Sequence, residues 1–219
     1  MATAPRTMRA DAARNRERVL AAAAAVFGQH GVDGSLPQVA ERAGVGVATI
    51  YRSFPTKVDL LEAVVTERFR ALADRITLAV AAPSPWEALL DVLHATASAQ
   101  VSDRVFGQVM GEAFNLPAVH AERERTLDAL QQLVERAQQA GDLRPDVVAE
   151  DILVLLAGLA GSPTALDRRG RSWERHLAVL VDGLRAEGAH PLPRPPLTRR
   201  RLERLTAELR GALASCRRG

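Results

Sequence analysis

Aromatic residues make up only 4% of this 219-residue chain, and cysteine occurs once, at Cys216. A single cysteine excludes an intrachain disulfide, so nothing demands an oxidising compartment. Lys57 is the sole lysine, and arginine carries nearly all the positive charge. No apolar run reaches the ~18 residues that a membrane span requires. At the start, Arg14, Arg16, Glu17 and Arg18 precede the alanine run and break any apolar core of signal-peptide type. The expectation is a cytoplasmic protein with no membrane contact. His30, His94, His120, His176 and His190 are scattered, none with a second histidine at metal-ligand spacing. No metal and no cofactor are expected, and no Ser-His-Asp or paired-carboxylate arrangement emerges from spacing. An enzyme on a helical fold is the alternative of a different class.

What is present is helical periodicity. With 47% hydrophobic residues, the chain can bury a sizeable core in one or two domains. Val19, Leu20, Ala23, Val26 and Phe27 share one stripe, closed by Gly31. Leu60, Leu61, Val64, Val65, Phe69, Leu72 and Ile76 form the face of a long helix. Further apolar faces of helical period run over 86–97, 105–114, 118–140, 146–159 and 172–185, separated by Pro and Gly. Period-two alternation is not sustained anywhere. The fold class is all-α.

Charge is unevenly placed. Residues 1–60 hold 8 Arg/Lys against 5 Asp/Glu, residues 61–190 hold 13 against 19, and residues 191–219 hold 8 against 2. A basic head, an acidic middle and a basic tail follow, and the first two would orient the head toward phosphate.

Residues 35–57 say most about function. Ser35 can N-cap a helix and Gln38 completes a capping box, with Pro37 in the first turn. Gly44 ends that helix, and a second begins at Val47 with Ile50 and Phe54 inward. Thr49, Tyr51 and Arg52 are then free to face a partner. Thr56, with Asp59 three residues on, caps the long helix that follows. Two helices around a tight glycine turn make a helix-turn-helix, whose second helix enters the DNA major groove.

With Ala-Gly-Val at 43–45 and Tyr51-Arg-Ser-Phe-Pro-Thr-Lys-Val-Asp-Leu at 51–60, the stretch from about 14 to 70 resembles the tetracycline-repressor (TetR) family of bacterial transcription regulators. The resemblance implies a three-helix DNA-binding domain, a connecting helix, and a C-terminal helical domain for ligand binding and dimerisation. The corresponding segments are a flexible basic arm at 1–13, a DNA-binding domain at 14–60, a connecting helix at about 56–79 and a regulatory domain at 80–188. A Pro-rich linker with a basic amphipathic helix occupies 189–219. The implied function is a homodimeric, ligand-responsive regulator, in first place a repressor, of a palindromic double-stranded DNA operator. An activator or architectural DNA-binding protein without a small-molecule effector is the nearer alternative.

Residue roles follow position by position. Tyr51 and Lys57 match phosphate-contacting positions of the family, and Lys57 would also stand at a helix N-terminus that favours anions. Val47, Ala48 and Thr49 sit where groove-facing residues belong. Arg52 fits a phosphate contact or an internal salt bridge, and Ser35 is chiefly a cap whose amide can meet a phosphate. Gly46 departs from the family, many members of which carry Ser or Thr there, so a side-chain phosphate contact is in doubt. Arg9, Arg14 and Arg16 fit either a DNA-reaching arm or a solvated basic tail.

For the ligand pocket the candidates are Trp86, Leu90, His94, Phe106, Met110, Phe114, Leu155 and Leu159, all of which also suit plain core roles. His94 and His176, on apolar stripes, read as core histidines or polar anchors. For the dimer interface, 146–159 and 172–185 offer Ile152, Leu156, Trp173, Leu177, Leu180, Val181 and Leu184. In the tail, Pro191–Pro196 reads as an extended spacer, and Thr198 caps a helix with Leu202, Leu205, Leu209 and Leu213 on one side. Docking on the acidic body, a transient helix, and contact with membrane or nucleic acid are its three readings.

Overall fold

Ser35 and Thr56 start their helices in the same way, and these two starts set the geometry of the head. The Gln38 amide donates to Ser35 Oγ at 3.4 Å while Ser35 N–H donates to Gln38 Oε1 at 2.8 Å. Around Thr56, the Asp59 amide donates to Oγ1 at 3.1 Å and Thr56 N–H to Asp59 Oδ2 at 2.8 Å. Both capping boxes satisfy amides that a helix start leaves open. This computed structural model describes residues 4–30, 33–102, 117–162 and 172–216.

The described residues form the helices α1 (Ala4–His30), α2 (Leu36–Ala43), α3 (Val47–Ser53), α4 (Lys57–Val80) and α5 (Pro85–Ser102). They continue with α6 (Pro117–Gln139), α7 (Ala149–Ala160), α8 (Ser172–Leu184) and α9 (Arg199–Cys216). No strand longer than the isolated Leu143–Arg185 bridge occurs among them. The all-α expectation is met.

Two apolar clusters divide the molecule. In the head, Val26 and Phe27 of α1, Val39 of α2, Ile50 and Phe54 around α3, and Leu60 to Phe69 of α4 pack together. In the body, Ile76 of α4 joins Trp86 to Val101 of α5, Leu127 to Ala137 of α6, and the inner faces of α7 and α8. α4 thus enters both clusters. So does the start of α6, whose Val119 is fully buried within the head cluster.

α4 and α6 run parallel, away from the head. Arg70 pairs with Glu122 at 3.0 Å, Asp74 with Arg125 at 2.5 Å, and Arg136 reaches the Val80 and Ala82 carbonyls. Thr126 Oγ1 also donates to the Phe69 carbonyl at 3.2 Å.

Three expectations change here. Residues from Ala4 onward continue α1 as helix, rather than forming a flexible arm. α7 begins at Ala149, later than Asp146, because Val148 is extended at the cap, where its N–H donates to Asp151 Oδ2 at 3.1 Å. His94 and His176 are exposed rather than core: His94 lies on Trp173 with ring centroids 5.2 Å apart, and His176 Nδ1 meets the Ser172 carbonyl at 2.9 Å. The expected apolar face over 105–114 lies outside the described residues.

Candidate nucleic-acid interface and regulatory cavity

α2 stops where it must turn. Gly44 adopts φ 65°, which costs glycine little, and its N–H donates to Glu41 while Val45 N–H donates to Ala40 at 3.0 Å. The chain then re-enters helix after Gly46, with Thr49 N–H donating to the Gly46 carbonyl at 2.9 Å. Gly46 caps α3 in extended conformation without any side-chain hydrogen bond.

α3 is inserted into the head by Ile50, fully buried, and by Phe54 at its end. Its opposite side is open. Tyr51 is 52% exposed and Val47 36%, Ala48, Arg52 and Ser53 are exposed, and Thr49 is half-buried. Tyr51 follows the fully buried Ile50 directly, so its exposure is a consequence of helical geometry rather than loose packing. Lys57 opens α4, beside its cap, with Nζ 5.7 Å from the centre of the Phe27 ring. The structure therefore gathers Val47, Ala48, Thr49, Tyr51, Arg52 and Lys57 on the outer side of the head, with Ser35 at the cap of α2.

Two residues that support this surface were not legible as such. Arg16, assigned by sequence to a mobile arm or solvated tail, stacks its guanidinium 4.7 Å from the Phe54 ring and so ties α1 to the end of α3. Gly34 is required by packing: a Cβ there would stand 2.8 Å from Phe27 Cδ1 and 3.0 Å from Val26 Cγ1.

Behind the head, α4, α5, α6 and α7 enclose a small apolar cavity of about 30 Å³. Phe69, Leu93, Thr96, Gln100, Arg123 and Ile152 are among its walls. Thr96 and Thr126 turn their hydroxyls onto the Val92 and Glu122 carbonyls. Gln100 Oε1 is buried without a hydrogen-bond partner among the described residues. Such an atom costs free energy until something donates to it.

Most of the residues expected at a ligand pocket lie elsewhere than at this cavity. Trp86, Leu90, His94, Leu155 and Leu159 do not line it, while Phe106, Met110 and Phe114 lie outside the described residues. Trp86 instead packs in the body core under the Arg185 guanidinium, His94 faces outward near Glu174, Leu155 is 36% exposed, and Leu159 belongs to the core. The lining face of α5 is the one bearing Val92, Leu93, Thr96 and Gln100. A stripe shows which helix is amphipathic, but a wide stripe does not show which edge meets a void.

The outer face of the body is corrected in the same way. Ile152, Leu156, Trp173, Leu177 and Leu184 are buried in the chain's own core. Leu180 and Val181 are half-buried, and the apolar side chains turned outward are Val154, Leu155 and Val179. α7 and α8 bear an outward apolar face, but it sits off the one expected.

The tail is held by charge. Arg144, nearly buried, donates to the Asp146 carboxylate at 2.6 and 3.1 Å, to the Gly183 carbonyl at 3.1 Å and to the His190 carbonyl at 2.5 Å. Hydrogen bonds from Arg144 and from Leu192 N–H hold the Asp146 carboxyl down at about 2. At the start of α9, Arg199 meets Asp128 at 2.7 Å, Glu124 at 3.0 Å and Glu150 at 3.1 Å. Burial opposes its charge, but these carboxylates outweigh that and hold its pKa above the ordinary arginine value. His120, Glu124 and Glu203 converge closely enough to suggest a metal site. The position is already taken by a cation: Arg123 Nη2 lies 2.5 Å from Glu203 and 2.9 Å from both Glu124 and His120 Nδ1.

Comparison with known proteins agrees with this layout. The family model for bacterial regulatory proteins of the tetR family matches residues 19–64, and that for the C-terminal domain of SbtR-like transcriptional regulators matches 84–186. The HTH-type transcriptional regulator SrpR of Pseudomonas putida is 30% identical over 157 residues, 68% of this chain and 73% of that protein. A TetR transcription regulatory protein from Mycobacterium vanbaalenii is 34% identical, with a TM-score of 0.63 over 81% of this chain and 99% of its own. The TetR regulator SCO0520 from Streptomyces coelicolor is 33% identical, with a TM-score of 0.60 over 79% and 99%. With its capped helix-turn-helix, a connecting helix shared between two cores and these relatives, the chain belongs to the TetR family of transcription regulators and carries a DNA-binding domain.

Proposed function

We propose that the protein acts as a homodimeric repressor that binds a palindromic operator through α3 and releases it when a small molecule enters the body. The observation that carries this reading is the outward face of α3. It is fixed from behind by Ile50 and Phe54 and flanked by the capped starts of α2 and α4. Tyr51 and Lys57 would hold phosphates, and Val47, Ala48 and Thr49 would lie along base edges. With so few hydrogen-bonding groups on α3, sequence preference would rest largely on groove shape and methyl contacts.

Dimerisation is supported by the outward Val154, Leu155 and Val179, beside Gly158 and Gly183, where a Cβ would meet nothing within 4 Å among the described residues. Small residues between apolar ones let two helices approach closely. A two-fold dimer would suit a dyad with half-sites about one helical turn, ~34–36 Å, apart. Effector control is supported by the shared helices: α4 and α6 both run from the cavity wall into the head cluster. A ligand that opens the cavity would shift them together, and DNA would then weaken ligand binding by the same factor.

The second reading is a DNA-binding protein that needs no effector, and the cavity volume of about 30 Å³ favours it, being room for little more than water. One experiment tests the operator binding that both readings share. Selection from random duplexes should enrich a dyad, and Tyr51→Phe and Lys57→Ala should each weaken binding tenfold or more, in line with ~1.5–3 kcal/mol per hydrogen bond to a charged group, with unfolding unchanged. Enrichment of no dyad, or undiminished affinity in both variants, would sink the proposal.

A further inference from the structure

We propose that α9 is a second DNA-contacting element, an arginine-bearing helix aimed along the body toward duplex that flanks the operator. The direction follows from its ionic contacts. Arg199 is held by Glu124 and Asp128, whereas Glu203, one turn later, is held by Arg123 beside His120. As the number rises along α9 it falls along α6, so the two helices are antiparallel. α6 begins at the head, where Val119 lies in the head core. α9 therefore points at the DNA-binding end.

Its length suits that task. From the Glu203 clasp to Cys216, α9 continues for about thirteen residues, roughly 20 Å at ~1.5 Å per residue. Arg70 of α4 pairs with Glu122, next to the Arg123 that holds the clasp. From Arg70 back to Lys57 is also about thirteen residues of helix, roughly 20 Å by the same rise. The end of α9 thus comes level with Lys57, at the side of the head that meets phosphate.

Its charge suits it too. Residues 191–219 carry 8 arginines against Glu203 and Glu208. The body uses Arg199 and Glu203, while Arg200, Arg201 and Arg204 are exposed and form no ion pair among the described residues. A cationic stripe fixed by one end, with Arg200, Arg201 and Arg204 turned outward, is an electrostatic match for a duplex backbone. A membrane fits less well, because the segment has no aromatic anchor and offers only a narrow line of leucines, of which Leu205 is 43% exposed. Both family matches end at or before residue 186, so this element is an addition to the shared scaffold.

The inference rests on the proposed role of α3 and is tested separately from it. The full-length triple variant R200Q/R201Q/R204Q keeps Arg199 and Glu203, and with them the clasp. Its binding to the selected dyad would be compared with wild type across a salt series, on duplexes trimmed to the dyad and on duplexes extended by about one turn, ~10 base pairs, each side. Wild type should prefer the extended duplex. The triple variant should lose that preference, bind about tenfold more weakly, and show a salt slope shallower by up to ~0.9 for each lost phosphate contact. Dyad preference and thermal unfolding should stay as they are. Identical affinities and slopes for the two proteins would overturn the inference. So would loss of binding to vesicles containing anionic phospholipid with DNA binding untouched. If Tyr51→Phe and Lys57→Ala weaken binding but the triple variant does not, only the role of α9 falls; the reverse pattern removes the role of α3.

Discussion

Arg123 and Glu203, 80 positions apart in sequence, meet at 2.5 Å and join the start of α9 to the helix that reaches into the head. Arg123 is 2% exposed, and its aliphatic stem walls the cavity while its guanidinium holds the tail. Charge that is this far from water needs partners on every side.

Glu203→Gln should accordingly lower stability by about 1–2 kcal/mol, since a charge-assisted hydrogen bond to a buried guanidinium becomes a neutral one while Glu124 remains. In a domain of this size that is a fall of roughly 2–8 °C in Tm. Differential scanning calorimetry of the two proteins at pH 7 decides it. An unchanged Tm would mean that Arg123 is fully satisfied by Glu124 and His120.

Acid should loosen the anchor of the Pro-rich spacer in a defined range. Asp146 has its carboxyl lowered from 3.8 to about 2 by the Arg144 and Leu192 hydrogen bonds. A depressed carboxylate pKa contributes stability that is present in full above the unfolded value and is lost as pH falls through the folded one. The contribution should therefore be complete above pH ~5, mostly lost by pH ~2 and gone near pH ~1. Wild type and Asp146→Asn should differ in Tm at neutral pH, and the difference should shrink as pH falls through that window. Tm curves that stay parallel from pH 7 to 2 would show that Asp146 is not the group responsible.

Gly46→Ser should be tolerated and mildly stabilising. The backbone at 46 is extended, with φ −70°, and a new Cβ would meet only Thr49 Oγ1 at 3.9 Å, an ordinary contact. A serine hydroxyl can then accept from an open amide of α3, a gain of a few tenths of a kcal/mol over glycine. It also places a hydroxyl where a phosphate would lie. Urea unfolding should shift slightly upward and affinity for the selected dyad should rise. A destabilised protein would show that glycine is needed at 46 for a reason other than space.

Gly34→Ala should damage the head specifically. The added methyl would fall 2.8 Å from Phe27 Cδ1 and force either the ring or the 33–35 segment to move, at a cost of about 1–3 kcal/mol. Hydrogen exchange should rise through α1–α3 while α6 and α7 keep their protection. Uniform behaviour across head and body would contradict the division into two cores.

Much of the head could be read in the chain because its signals are local. The capping pairs Ser35/Gln38 and Thr56/Asp59, the turn at Gly44 and the inward Ile50 and Phe54 all lie within a few residues of what they control. Helix periodicity likewise showed that α4 to α8 are amphipathic. The positions that periodicity placed wrongly are those whose environment comes from distant segments. Ile152, Trp173 and Leu184 face the chain's own core, and Leu155 faces out, because the rotation of α7 and α8 is set by α5 and α6 packing beneath them.

The sequence by itself therefore determined the family, the helical class and the outward face of α3, since each depends on caps, turns and spacing along one continuous stretch. Tertiary structure decided the cavity walls, the outward face of α7 and α8, the seat of Arg16 on Phe54 and the Arg123–Glu203 clasp. Those pairings join residues tens of positions apart. Net charge can show that a +6 tail and a −6 body attract. Only the packing of α6 against α4 and α7 fixes which carboxylates stand together to receive Arg199, because Coulomb attraction between exposed charges is weak and unspecific until burial removes the water between them.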